Sequence, residues 1–118
     1  MTKNISRLLE PSELEALLGD ENLLIIDLCN PALYPQKHIP GAIHLSGSLL
    51  MAGTAPVPGK LPPMEQLEKI ISYLGVTEQS HVVVYDDEGG GWAGRMAWTL
   101  DLLGYSNWSY LNGGIVSW

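Results

Sequence analysis

The feature that most constrains this fold is an apolar, largely β-branched run at residues 82–85, between two segments with helical spacing. Such a run predicts a strand buried on both faces, as in parallel sheets. Before it, apolar residues recur on one helical face from Met64 to Leu74, and Gly75 ends the pattern. After it, residues 93–103 predict a second helix that ends at Gly104.

The same alternation extends towards both ends of the sequence. Pro11 opens a helix that places Leu14, Leu17 and Leu18 at helical spacing and ends at Gly19. Further predicted elements are strands at 23–27, 43–45 and 108–111, a loop at 46–62, a turn at Gly113–Gly114 and a helical turn at 115–118. Strands that alternate with helices predict a single α/β domain over residues 1–118, with a central parallel sheet and helices on both faces.

Composition excludes several classes of partner. The 13 acidic and 6 basic residues give a net charge of -7, which argues against binding to nucleic acid or to an anionic membrane surface. No apolar run approaches the roughly 20 residues of a membrane span. The start of the chain lacks the apolar run of a signal peptide, so we expect a cytoplasmic protein. A single cysteine, Cys29, and three scattered histidines predict neither a metal site nor a cofactor.

In parallel sheets, ligands gather at the carboxyl ends of the strands. One such end is Asp27, and another is the loop after the 82–85 strand. The loop begins Asp86, Asp87, Glu88, Gly89, Gly90, Gly91, Trp92 and continues through Ala93 and Gly94 to Arg95. It leads into a helix N-terminus, where backbone N–H groups favour an anion.

The same loop contains a spacing that matches the dinucleotide-binding fingerprint, at Gly89, Gly91 and Gly94. Three adjacent acids at 86–88 would repel a pyrophosphate, and the predicted strand 108–111 is followed by Asn112 where an acid would be expected. The acids could also hold a hard cation, but the spacing of a calcium loop is absent. Neither nucleotide nor metal binding is therefore expected.

Four segments resemble the rhodanese family of sulfurtransferases. They are the strand ending on Asp27, the HIPGA segment with His38, Pro40 and Gly41, the HVVVY strand at 81–85, and the closing GGxxxW segment with Gly113, Gly114 and Trp118. They occur in the family's order and cover most of the chain. The resemblance implies a rhodanese-like fold.

Active rhodanese domains carry a cysteine directly after the HVVVY-type strand, and here that position is Asp86. With residues 93–95, Trp98 and the Pro-rich stretch 46–62, this resembles the non-catalytic N-terminal domain of tandem thiosulfate or 3-mercaptopyruvate sulfurtransferases. The resemblance implies no catalytic residue in this chain. It also implies a partner, a second rhodanese domain that bears the cysteine, in the same parent chain or a dimer mate. The abrupt end at Trp118 fits that expectation.

Two other functions were weighed. A stand-alone, non-enzymatic binding or regulatory module of rhodanese-like fold is the alternative. A phosphatase would need a Cys-x5-Arg loop to cradle phosphate. Here the corresponding stretch begins at Asp86 and carries Trp92 at the arginine position, so that activity is set aside.

Individual residues of these segments carry their own expectations. We expect Cys29 to be a small buried residue, and His38 to organise its turn with a hydrogen bond. Trp98 and Trp108 are expected in the core, and Trp92 at a domain interface.

At the loop, Arg95 lies in a helix's first turn, where a cation is unfavourable. We therefore expect a carboxylate partner, Asp27 or Asp86. Amides of the loop and the helix start are expected to point at the Asp86 carboxylate.

Overall fold

In the described part of the chain, five parallel strands form one sheet in the order β1-β5-β4-β2-β3. The structure, a computed structural model, describes residues 7–46, 63–87 and 91–118. The strands are β1 (Leu8–Leu9), β2 (Leu23–Asp27), β3 (Ile43–His44), β4 (His81–Tyr85) and β5 (Trp108–Leu111). The helices are α1 (Pro11–Leu17), α2 (Met64–Leu74), α3 (Gly91–Leu102) and α4 (Gly114–Ser117). No helix within the described ranges is both long enough and apolar enough to cross a membrane.

The central strand β4 pairs with β2 on one side and with β5 on the other. Val82 and Val84 point into the core beneath α2 and α3, whereas Val83 and Tyr85 point into the core beneath α1 and α4. The alternation follows from the two-residue period of a strand. The predicted α/β architecture, with a parallel sheet and helices on both faces, is confirmed.

Most predicted elements lie where the sequence places them. Helix α2 has the predicted bounds, and Gly75 caps it with a left-handed φ of 78°. Helix α3 begins at Gly91, earlier than predicted. Strand β1 was not predicted, because two residues are too short for a periodic pattern. The predicted loop at 46–62 lies outside the described residues except for Ser46.

The HIPGA segment is a tight turn that delivers the chain into β3. The Ala42 N–H donates to the Ile39 carbonyl at 3.0 Å, and Gly41 has a φ of 83°. Pro40 followed by a residue of positive φ fits a type II turn, which explains the Pro-Gly pair. His38 Nδ1 lies 2.6 Å from the carbonyl oxygen of Tyr34, and its ring stacks on the Tyr34 ring at 4.1 Å. His38 thus connects the start of the turn to the preceding segment, and its role in organising the turn stays a prediction.

Candidate functional site

Asp86 follows β4 directly and is buried, with only 2% of its surface exposed. Its Oδ2 atom accepts a hydrogen bond of 2.9 Å from the backbone N–H of Ala93, in the first turn of α3. A carboxylate suits this position, because the first N–H groups of a helix have no partner within the helix. The prediction that an amide at the helix start points at Asp86 is confirmed.

The main chain of Asp86 is held independently of its side chain. Its carbonyl oxygen accepts the Ile115 N–H at 3.1 Å. Gly114 packs so closely that a Cβ there would lie 2.2 Å from the same oxygen. Gly113 and Gly114 both have positive φ, of 78° and 59°. Gly114 of the closing glycine pair is therefore a contact surface for residue 86, a role that its position in the sequence does not reveal.

Asp27, at the end of the neighbouring strand β2, is completely buried. Its Oδ1 atom accepts the Cys29 N–H at 2.8 Å, and its Oδ2 atom accepts the Tyr85 hydroxyl. The same hydroxyl oxygen accepts the Ile39 N–H at 3.1 Å. Burial, followed by the hydrogen bond to Asp27, raises the pKa of Tyr85, so the hydroxyl keeps its proton. This network ties the ends of β2 and β4 to the HIPGA turn.

Cys29 is buried just beyond β2, as predicted. Burial first, and then the negative charge of Asp27, raise the pKa of its thiol well above the usual range. The His44 Nε2 atom lies 3.0 Å from the carbonyl oxygen of Cys29, so this ring nitrogen contacts the main chain of Cys29. The only thiol in the sequence is thus held protonated, and it is the thiolate that reacts.

The other described residues of the predicted loop site, namely Asp87, Trp92 and Arg95, each make separate contacts. The Asp87 Oδ1 atom accepts the Asn30 N–H at 3.3 Å, which joins this loop to the one after β2. Trp92 is half-buried against the core beneath α2 and α3. The Arg95 guanidinium lies 4.9 Å from the centre of the Trp98 ring. Its pairing with a carboxylate stays a prediction.

Glu88, Gly89 and Gly90 lie outside the described residues. Within the described ranges, no group of three or more His, Cys, Asp or Glu side chains could hold a metal ion.

Trp98 and Trp108 were both predicted to lie in the core, and the structure confirms this for Trp108 alone. Trp108 is in the core, with 9% of its surface exposed, and its Nε1–H donates to Asp101 at 2.8 Å. The prediction that Trp98 lies in the core is wrong, because 47% of its surface is exposed. The inward face of α3 is taken by its neighbours Met96 and Ala97, so residue 98 points outward.

The family follows from comparison with known proteins. The rhodanese-like domain matches residues 10–118, and the chain belongs to that family. It is homologous to rhodanese-type sulfurtransferases.

Among its relatives is a thiosulfate sulfurtransferase of Azotobacter vinelandii, 46% identical over 110 residues, which cover 93% of this chain and 41% of that protein. The thiosulfate sulfurtransferase of Pseudomonas aeruginosa is 44% identical with the same coverage. The crystal structure of a 3-mercaptopyruvate sulfotransferase from Escherichia coli matches with a TM-score of 0.79 and 28% identity, over 97% of this chain and 47% of that one. The chain thus spans about two fifths of the length of the thiosulfate sulfurtransferases that it matches.

Proposed function

We propose that this chain is the non-catalytic N-terminal half of a rhodanese-type sulfurtransferase and shapes the site of a cysteine-bearing second domain. One observation carries the proposal. A buried carboxylate, Asp86, occupies the position directly after β4 and is bound to the start of α3. The rhodanese resemblance puts the catalytic cysteine of active domains at this position.

The chemistry of sulfur transfer supports this assignment. A thiolate must attack the outer sulfur of thiosulfate, so that a persulfide forms and sulfite leaves. A carboxylate cannot form a stable persulfide. The one thiol of the chain, Cys29, is buried and its pKa is raised, so it supplies no thiolate. In this loop Asp86 instead supplies a negative charge to the helix start, where an active domain would present a thiolate.

Activity of the chain alone is the direct test. We expect no conversion of thiosulfate and cyanide to thiocyanate above the buffer rate. The matched variant Asp86→Cys should accept one sulfur atom from thiosulfate, seen as added mass on residue 86, because the Ala93 N–H favours a thiolate there. Turnover by the unaltered chain that disappears in Cys29→Ala would show that the proposal is wrong.

The parent reading frame provides a separate test. A further domain with a cysteine directly after a strand supports the proposal. A frame that stops shortly after residue 118 contradicts it and favours a stand-alone binding module.

A further inference from the structure

We propose that Asn112 and Gly113 form a self-modification site, at which the asparagine side chain cyclises onto the main chain and hydrolyses to aspartate or isoaspartate. The isoaspartyl product loosens the main-chain anchor of Asp86, defined as the contacts of Gly114 and Ile115 with residue 86. This inference goes beyond the proposed function, since it needs neither a second domain nor an enzyme.

The sequence restricts this chemistry to one asparagine. Asn112 is the only asparagine that precedes a glycine, whereas the other four precede Ile5, Leu23, Pro31 and Trp108. Ring closure uses the main-chain nitrogen of the following residue. Proline has no N–H to lose, and a bulky side chain shields the nitrogen, but glycine leaves it open to attack the neighbouring side chain.

The structure leaves the reacting atoms accessible. Asn112 and Gly113 are both exposed. The Asn112 N–H donates to the Leu9 carbonyl at 2.8 Å, which holds this residue on its N-terminal side. Among the described residues, no main-chain carbonyl accepts the Gly113 N–H, so the attacking nitrogen is not occupied by such a bond. Gly113 has a φ of 78°, and as a glycine it rotates towards the geometry of attack more freely than any other residue type.

The reaction balances with water as the one co-reactant. The Gly113 nitrogen loses its proton and bonds to Cγ of Asn112, the Cγ–Nδ2 bond breaks, and ammonia leaves with the proton. The product is a cyclic succinimide, in which the nitrogen is bonded to two carbonyl carbons. Hydrolysis at the side-chain carbonyl gives aspartate. Hydrolysis at the main-chain carbonyl gives isoaspartate, in which the chain runs through Cγ.

Glu10 contacts the group that changes. Its Oε1 atom accepts a hydrogen bond of 2.8 Å from Nδ2 of Asn112 in the unmodified chain. Either product carries a carboxylate in place of that donor, so Glu10 loses a hydrogen bond and faces a like charge. Because Glu10 and Asn112 are both exposed, salt screens this repulsion. The larger effect is therefore expected in the main chain.

Isoaspartate adds one carbon to the main chain just before the main-chain anchor of Asp86. Gly114 packs so closely that a Cβ there would lie 2.2 Å from the Asp86 carbonyl oxygen. The Ile115 N–H donates to the same oxygen at 3.1 Å. Contacts this close do not accommodate a longer chain without a shift of one partner. The modification at residue 112 thus reaches the loop that follows β4.

Incubation of the 118-residue chain in mildly alkaline buffer tests the chemistry, because the nitrogen attacks in its deprotonated form. Ion-exchange chromatography should show a shift of the net charge from -7 to -8, since one neutral amide becomes a carboxylate. Peptide mapping by mass spectrometry should place the change at residue 112 before any other asparagine. The matched variant Asn112→Gln, whose longer side chain closes a ring less readily, should stay at -7.

Three results would each overturn the modification site. They are an added charge that maps first to another asparagine, equal accumulation of the acidic form in Asn112→Gln, and deamidation in urea without deamidation of the folded chain.

Hydrogen exchange tests the consequence for Asp86. The Ile115 amide should exchange at least about fivefold faster in the isoaspartyl form than in Asn112→Asp, as expected when one hydrogen bond is lost. Asn112→Asp is the matched control, since it carries the same charge on a main chain of normal length. Equal exchange of Ile115 in the two proteins would overturn the coupling between residue 112 and the main-chain anchor of Asp86.

Discussion

Asp27 ends β2 and Asp86 directly follows the neighbouring strand β4; both are buried, yet their side chains have different roles. The main-chain carbonyls of both residues accept hydrogen bonds, from the Leu45 N–H at 2.9 Å and from the Ile115 N–H at 3.1 Å respectively. The two carboxylate oxygens of Asp27 accept the Cys29 N–H and the Tyr85 hydroxyl. The Asp86 carboxylate accepts the Ala93 N–H at the start of α3, and Gly114 packs against the Asp86 main chain.

The difference separates two kinds of constraint at the same edge of the sheet. At position 27 the carboxylate itself joins three segments, so the residue type is fixed by its chemistry. At position 86 the Ile115 hydrogen bond and the Gly114 contact involve only the main chain, so we expect them to persist when the residue type changes. We therefore expect a cysteine at position 86 to leave the fold of this chain intact.

The largest effect is expected for Gly114→Ala. The new Cβ would lie 2.2 Å from the Asp86 carbonyl oxygen, on a residue with a φ of 59°. We expect either no folded protein or a loss of more than about 4 kcal/mol in the free energy of unfolding, measured in urea. The control is Gly91→Ala, where a Cβ meets nothing within 4 Å and stability should hardly change. If Gly114→Ala is tolerated, position 86 is not held through its main chain.

Next comes Asp27→Ala, which leaves the Tyr85 hydroxyl and the Cys29 N–H without their acceptor. Two buried unpaired donors predict a loss of about 3 kcal/mol. Asp20→Ala, which removes an acceptor from the exposed Asn22 N–H, is the control and should cost below about 1 kcal/mol. Equal losses of stability in the two variants would contradict the role of the Asp27 carboxylate as acceptor for two buried donors.

Asp86→Ala should cost about 1–3 kcal/mol, because the Ala93 N–H at the helix start loses its acceptor while the main-chain bond to Ile115 remains. Asp87→Ala, beside it and only half-buried, should change stability by about 0.5 kcal/mol. An Asp86→Ala variant that unfolds at the same urea concentration as the parent would contradict the role of its carboxylate.

The smallest effect concerns alkaline pH at Cys29. Burial and Asp27 raise the pKa of its thiol in the folded chain, whereas the unfolded thiol ionises near about 8.5. Above that pH the unfolded state releases a proton that the folded state keeps. Stability is therefore complete below about pH 8.5 and falls by about 1.4 kcal/mol per pH unit above it.

Cys29→Ala should remove this slope between about pH 8.5 and 9.5, below the range where unfolded tyrosine ionises. Urea unfolding under reducing conditions measures it in both proteins. Identical slopes would mean that the thiol near Asp27 ionises as readily when folded as when unfolded.

Whether a feature of this fold can be predicted from the sequence depends on how far apart in the sequence its residues lie. Helix α2 and the HIPGA turn are local, and their periodicity and Pro-Gly pair place them correctly. The position of Asp86 at a helix start follows from a strand, a glycine-rich loop and a helix in succession.

Contacts between distant segments carry no such local pattern. The bond between Asp27 and Tyr85 crosses two strands, and the contact of Gly114 with Asp86 joins the last helix to the loop after β4. The outward position of Trp98 was also missed, because an apolar residue on an apolar helix predicts burial. Helix α3 carries apolar residues on both faces, so the sequence alone does not indicate which face packs on the sheet.

The sheet order has a consequence for the synthesis of the chain. Among the residues that the structure describes, β1 lies at an edge of the sheet and pairs with β5 alone, through Leu8 with Tyr110 and Leu9 with Leu111. Because a ribosome releases a chain in order from its N-terminus, β1 emerges before β2 to β5 and cannot pair until β5 has also emerged. During that interval its backbone groups and the side chain of Leu9, which is buried after folding, are open to chaperones. Premature termination anywhere before β5 would therefore leave β1 without its pairing strand.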